Sequence, residues 1–414
     1  MTPEHKRRAL NSDTGEADML SSLPEVVKDK ILILLPIKEA GRTSILSRQW
    51  RYTWSSIPEL TIRDGSCVAS NGLFTKLVDE ILFLHQGPIY KFDLHTKNFH
   101  DSVPYDRWLL NLSRNEIREL ILQLRFNYKI PSSLFSCQAL TCLHLSNCTI
   151  KLPHDFEGFK LLRTVKLEKS TVSGNELEKL VSSSPLLESL FLRDFNECII
   201  LNIDAPNLKN LVVLGKFIDI QLWTPGLLTL WVELKVKPVG NHHRRGKLAE
   251  ALGHIPAIEK LEMHKHFVAY LAYGPLLEKF PVKFDHLKEI CFSIDLSDLK
   301  AAALALSLFQ NSPKLKILDI RFLSGADSLS GGPDFWEPID REDCSFEHLQ
   351  TVNIHNFLPS RPMFSFVRFV LSAAPNLNEL TMSKENSDEV VDPTTFKQLL
   401  RFKRASANAE IIFV

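Results

Sequence analysis

Residues 162–192 read LRTVKLEKSTVSGNELEKLVSSSPLLESLFL. The stretch opens on LRTVKL and closes on LESLFL, and both follow one pattern: apolar, x, x, apolar, x, apolar. Between them, ELEKLVSSSP (176–185) has helical composition and ends on a proline. Proline lacks the N–H that an intrahelical ladder needs, so the helix stops there. The unit therefore reads as strand, helix, Pro-marked turn, strand.

The same grammar runs along most of the chain. Further copies are IRELIL from 117, LTCLHL from 140, LKNLVV from 208 and LTLWV within 228–232, with Leu227 as its first position. IEKLEM from 258, LKEICF from 287, LKILDI from 315, LQTVNI from 349 and LNELTM from 377 bring the total to eleven. Copies recur every 19 to 34 residues or so, the earlier ones mostly within the range of about 20–29 expected of a leucine-rich repeat. Each repeat supplies one short strand, and stacked strands form a parallel sheet whose alternate side chains share a core. Helices are also expected at 248–256, 303–313 and 364–375. The Asn or Cys that such repeats place three residues after the last strand leucine is met by Cys148 and missed in most copies, so the expected solenoid is irregular.

The chain has 414 residues, 44% hydrophobic and 24% charged, with 49 basic and 49 acidic side chains. That composition is ordinary for a globular protein, and the zero net charge argues against a general nucleic-acid binder. Seven scattered cysteines fit a reducing compartment, and no apolar run reaches membrane-spanning length. The expectation is an intracellular protein, in nucleus and/or cytoplasm, bound to neither nucleic acid nor membrane.

The segment before the repeats is different. Ser22-Leu23-Pro24-Glu25 has the spacing of a capping box, with Pro24 tolerated in the first turn. Val27, Ile31, Leu34 and Leu35 follow at helical spacing and Pro36 closes the helix. Two more short helices are expected, Lys38 to Leu46 and Ser47 to about Trp54. Gly41, inside the second, costs up to about 1 kcal/mol relative to alanine. Some forty residues are too few to bury so much apolar surface alone.

Motifs with catalytic mechanisms are sparse. GNHHRRGK (240–247) has five residues between its glycines where a P-loop has four, and Leu248 stands where a hydroxyl should hold magnesium. His242, His243, His254, His264 and His266 lack a zinc-ligand frame, and Cys137 and Cys142 read as packed thiols. Trp223 and Trp231 bracket a strand copy, facing either a ligand or the core. The expectation is a non-enzyme with no catalytic residue, metal or cofactor.

LPEVVKDKILILLPIKEAGRTSILSRQWRYTW, starting at Leu23, resembles a plant F-box: LP, an apolar run ending in LLP, then R-T-S-x-L-S-R-x-W-R-x-x-W. DFWEP (334–338), followed by C-x-F-x-x-L and a helix leading to AAPNL, resembles the FBD domain. The chain thus resembles the plant F-box/FBD/LRR-repeat family over nearly its whole length. The resemblance implies a flexible tail at 1–17, an F-box at 18–60, a leucine-rich-repeat solenoid at 61–334 with helices on its convex side, and an FBD-type α/β cap at 335–414. It further implies a substrate receptor of an SCF-type ubiquitin ligase, docked on a Skp1-like adaptor and through it on a cullin, with the repeats holding a target protein. A scaffold or ligand sensor that joins no cullin is the alternative. Adaptor contact is expected at Leu23, Pro24, Val27, Ile31, Leu34, Leu35, Pro36, Leu46 and Trp50.

Overall fold

The computed structural model describes residues 20, 22–47, 50, 52–64, 71–96, 104–197, 200–235, 252–272, 283–295, 298–323, 335–336, 344–384 and 393–414. The tail at 1–17, the loop at 240–247 and most of 325–343 lie outside these.

Two helices open the fold, α1 (Glu25–Ile33) and α2 (Ile37–Arg42). Pro24 is the N-cap of α1, two residues after Ser22, where the capping-box spacing placed the cap. Pro36 ends one helix and caps the next. The second helix is shorter than expected, passing at Thr43–Ile45 into a 3-10 turn. In place of the expected third α-helix, the described residues show a single 3-10 turn at Thr53–Ser56.

Fourteen strands then form one sheet in which every neighbouring pair is parallel and every crossover follows chain order. They begin with β1 (Glu59–Arg63), β2 (Lys91–His95), β3 (Glu119–Lys129), β4 (Cys142–Thr149), β5 (Thr164–Glu168) and β6 (Ser189–Arg193). A separate pair, β7 (Ile200–Asp204) and β9 (Asp219–Trp223), flanks β8 (Asn210–Gly215) in sequence. The main sheet continues with β10 (Thr229–Leu234), β11 (Lys260–Met263), β12 (Glu289–Ile294) and β13 (Ile317–Phe322). It closes with β14 (Thr351–His355), β15 (Glu379–Ser383) and β16 (Glu410–Phe413). All eleven motif copies lie on strands of this sheet.

Three strands lie outside those copies. Ile57, Leu60 and Ile62 of the first, and Ile89, Phe92 and Leu94 of the second, obey the same spacing and are all buried. In the last strand, Asn408 stands where Leu377 stands one strand earlier.

Helices return the chain between strands. They are α3 (Asn71–Leu84), α4 (Tyr105–Ser113), α5 (Gly174–Ser182), α6 (Lys265–Ala272), α7 (Leu299–Gln310), α8 (Arg361–Ala373) and α9 (Pro393–Leu400). The expected helices at 176–185, 303–313 and 364–375 correspond to α5, α7 and α8; that at 248–256 begins outside the described residues. A capping box does form at α5, where Ser173 and Glu176 satisfy each other's backbone N–H groups. The β7–β9 pair departs from the helix expected in every repeat. Leu201, Ile203, Ile220 and Leu222 bury at a period of two, which suits a strand.

The turns after the strands share one device. Asn147, Lys169, Asp194 and Asn356 each lie two residues beyond the last core position and take a positive φ of 57°, 48°, 53° and 59°. The next position does the work expected of a ladder asparagine. The hydroxyl of the fully buried Ser170 accepts the Cys148 N–H at 3.3 Å and donates to the Glu168 carbonyl at 2.9 Å. Gly158, at φ +95°, abuts the Ser183 backbone so closely that no Cβ fits.

Candidate functional site

The helical unit seats on the first edge of the sheet, with α1 and α2 packed on β1 and on the 3-10 turn at 53–56. The edge strand of the sheet thus has protein rather than open solvent beside it over part of its length. The inward residues of the unit are Lys28, Leu32, Ile37, Ala40 and Trp50. Lys28 Nζ lies 5.8 Å from the Trp50 ring centre, so its aliphatic stem fills the core while its charge faces an aromatic surface.

The residues expected to meet a partner fall into two groups. Leu34, 84% exposed, and Leu46, 59% exposed, project into solvent, with Val27, Leu35, Pro24 and Pro36 also exposed. Leu23 and Ile31 are half-buried, Ile31 against the core. Trp50 is only 3% exposed and its indole N–H finds no acceptor among the described residues. Trp54 is half-buried against the core. Both tryptophans therefore face inward, as supports of the unit.

Sequence reasoning missed the most exposed apolar side chain of the region, Ile45 at 87%, together with Val26 and Tyr52. Ile45 occupies the x of R-T-S-x-L-S-R, a position that motif matching leaves open. An isoleucine beside Leu46 on a turn was the available signal. Each such side chain gains about 1.5–3 kcal/mol when a partner covers it fully.

The other candidates have structural partners. Burial alone pushes the Cys137 thiol up to about 11, and burial outweighs a hydrogen bond to the Ser146 carbonyl in pushing Cys148 up to about 12. These thiols are held protonated, the opposite of what a nucleophile requires. No group of three or more His, Cys, Asp or Glu among the described residues could hold a metal ion. His264 instead contacts Glu262 at 3.2 Å and Ser293 at 3.4 Å, and His254 stacks on Trp223 with ring centres 4.3 Å apart. His242 and His243 lie outside the described residues. No helix among the described residues is long and apolar enough to cross a membrane.

A helical unit with outward apolar side chains, seated on the end of a long parallel repeat sheet, defines an F-box joined to leucine-rich repeats. The sequence model of the F-box domain matches residues 20–61, and that described as "At1g61320/AtMIF1, LRR domain" matches 81–406. Among similar proteins, the Arabidopsis thaliana F-box/FBD/LRR-repeat protein At1g13570 is 34% identical over 97% of this chain and 99% of its own length. The FBD-associated F-box protein At5g56370 of the same plant is 27% identical over 96% of this chain and 100% of its own. The chain belongs to the F-box/FBD/LRR-repeat family. An F-box combined with leucine-rich repeats is in general the arrangement of substrate adaptors of SCF-type ligases, proteins that are typically non-enzymatic.

Proposed function

We propose that this chain is the substrate-receptor subunit of an SCF-type E3 ubiquitin ligase. Residues 18–60 dock on a Skp1-like adaptor and through it on a cullin. Residues 61–334 hold a target protein, and 335–414 form the terminal unit. The observation that carries the reading is the outward apolar surface of a segment matched by the F-box model, above all Leu34, Ile45 and Leu46. A patch of this kind on a small unit marks a protein interface.

Leu23, Pro24, Val27, Leu34, Leu35, Pro36 and Leu46 are the adaptor-facing residues on this reading, joined by Ile45. Ile31 and Trp50 act from beneath, keeping α1 in place. The mechanism is proximity. Target and charged E2 enzyme are held in one assembly, which raises the effective concentration of a target lysine at the thioester. The chain contributes binding and geometry, with no reacting group of its own, and works inside the cell in nucleus and/or cytoplasm.

Co-expression with a Skp1-like adaptor tests this reading. The expected result is a one-to-one complex on size exclusion with light scattering, weakened by Leu23→Ala with Pro24→Ala and abolished by Leu34→Asp with Leu46→Asp. A wild-type chain that elutes alone beside free adaptor overturns it. If the complex forms but reconstituted ubiquitin transfer to a bound protein is absent, the scaffold reading replaces the ligase one.

A further inference from the structure

The sheet face opposite the core carries one row of side chains in register. From β5 to β13 it reads Lys166, Phe191, Val212, Trp231, Glu262, Cys291, Asp319. All seven are half-buried, forming an open floor. Phe191, Val212 and Trp231 are three apolar residues on successive strands, a run that does not recur in this row on the other described strands.

The two flanks of that apolar run differ in charge. On the β5–β6 side, Lys166 Nζ and Arg193 Cζ lie 4.8 and 5.2 Å from the Phe191 ring centre. Both cations share one carboxylate, Glu168, at 3.4 and 3.8 Å, leaving that flank with a positive surplus. Glu168 also contacts His144 at 3.4 Å.

On the β10–β13 side stand Glu233, Glu262 and Asp319, and among the described residues no lysine or arginine pairs with any of them. Glu262 contacts His264 at 3.2 Å, and Asp319 contacts His355 at 3.2 Å and accepts from the Asn353 amide at 3.4 Å and the Cys291 thiol at 3.6 Å. The exposed Arg321 makes no ion pair with them. Elsewhere Glu59 and Glu119 share Lys91, Glu188 meets Arg163 and Lys209, Glu259 meets Lys288 and Glu289 meets Lys260, while Asp93 of β2 contacts His95 at 2.7 Å. Cys291, between Glu262 and Asp319, has its thiol pushed up to about 12 by burial, then by those two carboxylates. Next to the apolar run, the surplus of negative charge therefore lies on the β10–β13 side.

We propose that this row is the docking floor for an extended segment of the target protein, acidic at one end, apolar in its middle and basic at the other. The proposal rests on the substrate-receptor reading and supplies the chemistry of its target. The acidic end meets Lys166 and Arg193, the apolar middle lies on Phe191, Val212 and Trp231, and the basic end enters the field of Glu262 and Asp319. Trp231 contributes an aromatic face beside those carboxylates, a favourable setting for a cationic side chain. Six strand intervals at ~4.8 Å span about 29 Å, the reach of roughly nine extended residues.

Fluorescence anisotropy on the full chain, without adaptor, tests this with two labelled probes blocked at both ends. One is Asp-Asp-Ser-Leu-Phe-Leu-Ser-Lys-Lys; the other replaces both lysines by aspartates. Wild type should bind the first at least tenfold more tightly. Trp231→Ala should weaken it about tenfold, roughly 1.4 kcal/mol, and Glu410→Lys, on the last strand, should change nothing. Glu262→Lys with Asp319→Lys should invert the preference, a gain that unfolding cannot produce.

Absence of saturable binding below about 1 mM, equal binding of both probes, or a preference unchanged by the double reversal overturns the proposal. Adaptor binding of the same preparation is scored separately. A chain that binds adaptor but neither probe loses this proposal alone, and one that prefers the first probe but ignores adaptor loses only the receptor assembly.

Discussion

The two ends of this chain use the same apolar residues in opposite ways. In the repeats, Leu143, Val165, Leu190, Leu211 and Leu230 point into one continuous core and are at most 1% exposed. In the helical unit, Leu34 and Ile45 stand more than four-fifths exposed within a few residues of fully buried Leu32 and Ala40. A repeat completes its core by stacking on its neighbour, and only the ends of the array need covering. The helical unit covers one such end, and among the described residues its other side carries exposed Leu34, Ile45 and Leu46. On the proposed reading, a second protein supplies the neighbour that covers them.

That contrast predicts opposite consequences for the same substitution. Leu167→Ala, at a fully buried strand position, should destabilise the chain by about 2–5 kcal/mol, read as a drop in urea midpoint. Leu34→Ala should stay within about 0.5 kcal/mol by the same measurement, yet weaken adaptor binding. If Leu34→Ala destabilises the isolated chain as much as Leu167→Ala, the distinction between the regions fails. Next in size is Ser170→Ala. It strips the buried Cys148 N–H of its acceptor and should cost about 1–3 kcal/mol, with faster amide exchange at Cys148.

Within the helical unit, Gly41 lies in α2 with open space where a Cβ would stand. Gly41→Ala should raise stability by about 0.5–1 kcal/mol and leave the repeats' exchange rates unchanged, showing that the unit responds locally. The smallest effect is a pH dependence in the repeats. Burial, and then Lys166, lower the His144 pKa below its ordinary 6.5, against the pull of Glu168. The unfolded chain then binds the proton more readily, so stability should fall as pH drops below about 6.5. His144→Gln should flatten that part of the stability profile.

The two regions were also unequally legible. Eleven strands could be read because the core leaves a spacing in the sequence that survives exchange of one apolar residue for another. The strands at 59–63 and 91–95 keep that spacing as well, in IPELTI from 57 and IYKFDL from 89, and extend the array toward the helical unit. The β7–β9 pair escaped because a period of two, over five residues, is weak beside the helical composition of other repeats. In the helical unit, apolar spacing put Leu34 and Leu35 on one helix face with Val27 and Ile31, whereas α1 ends at Ile33 and both leucines lie exposed beyond it. Lys28 and Leu32 turned inward because Trp50 offers that lysine an aromatic surface. Trp50 itself looked like a contact residue by motif and lies inside by packing, a distinction of depth that spacing does not encode. The polarity of the sheet face was invisible until register placed Phe191, Val212 and Trp231 side by side.

The central claim is that the exposed apolar side chains of the helical unit are completed by an adaptor. Isothermal titration of the full chain with a Skp1-like adaptor at several temperatures tests it most directly, because burial of apolar surface leaves a negative heat-capacity change. The account predicts one-to-one binding with a clearly negative heat-capacity change that shrinks in Leu34→Ala and Ile45→Ala, whose apolar area at the interface is smaller. Binding with a heat-capacity change near zero, or one unaltered by either substitution, would contradict it.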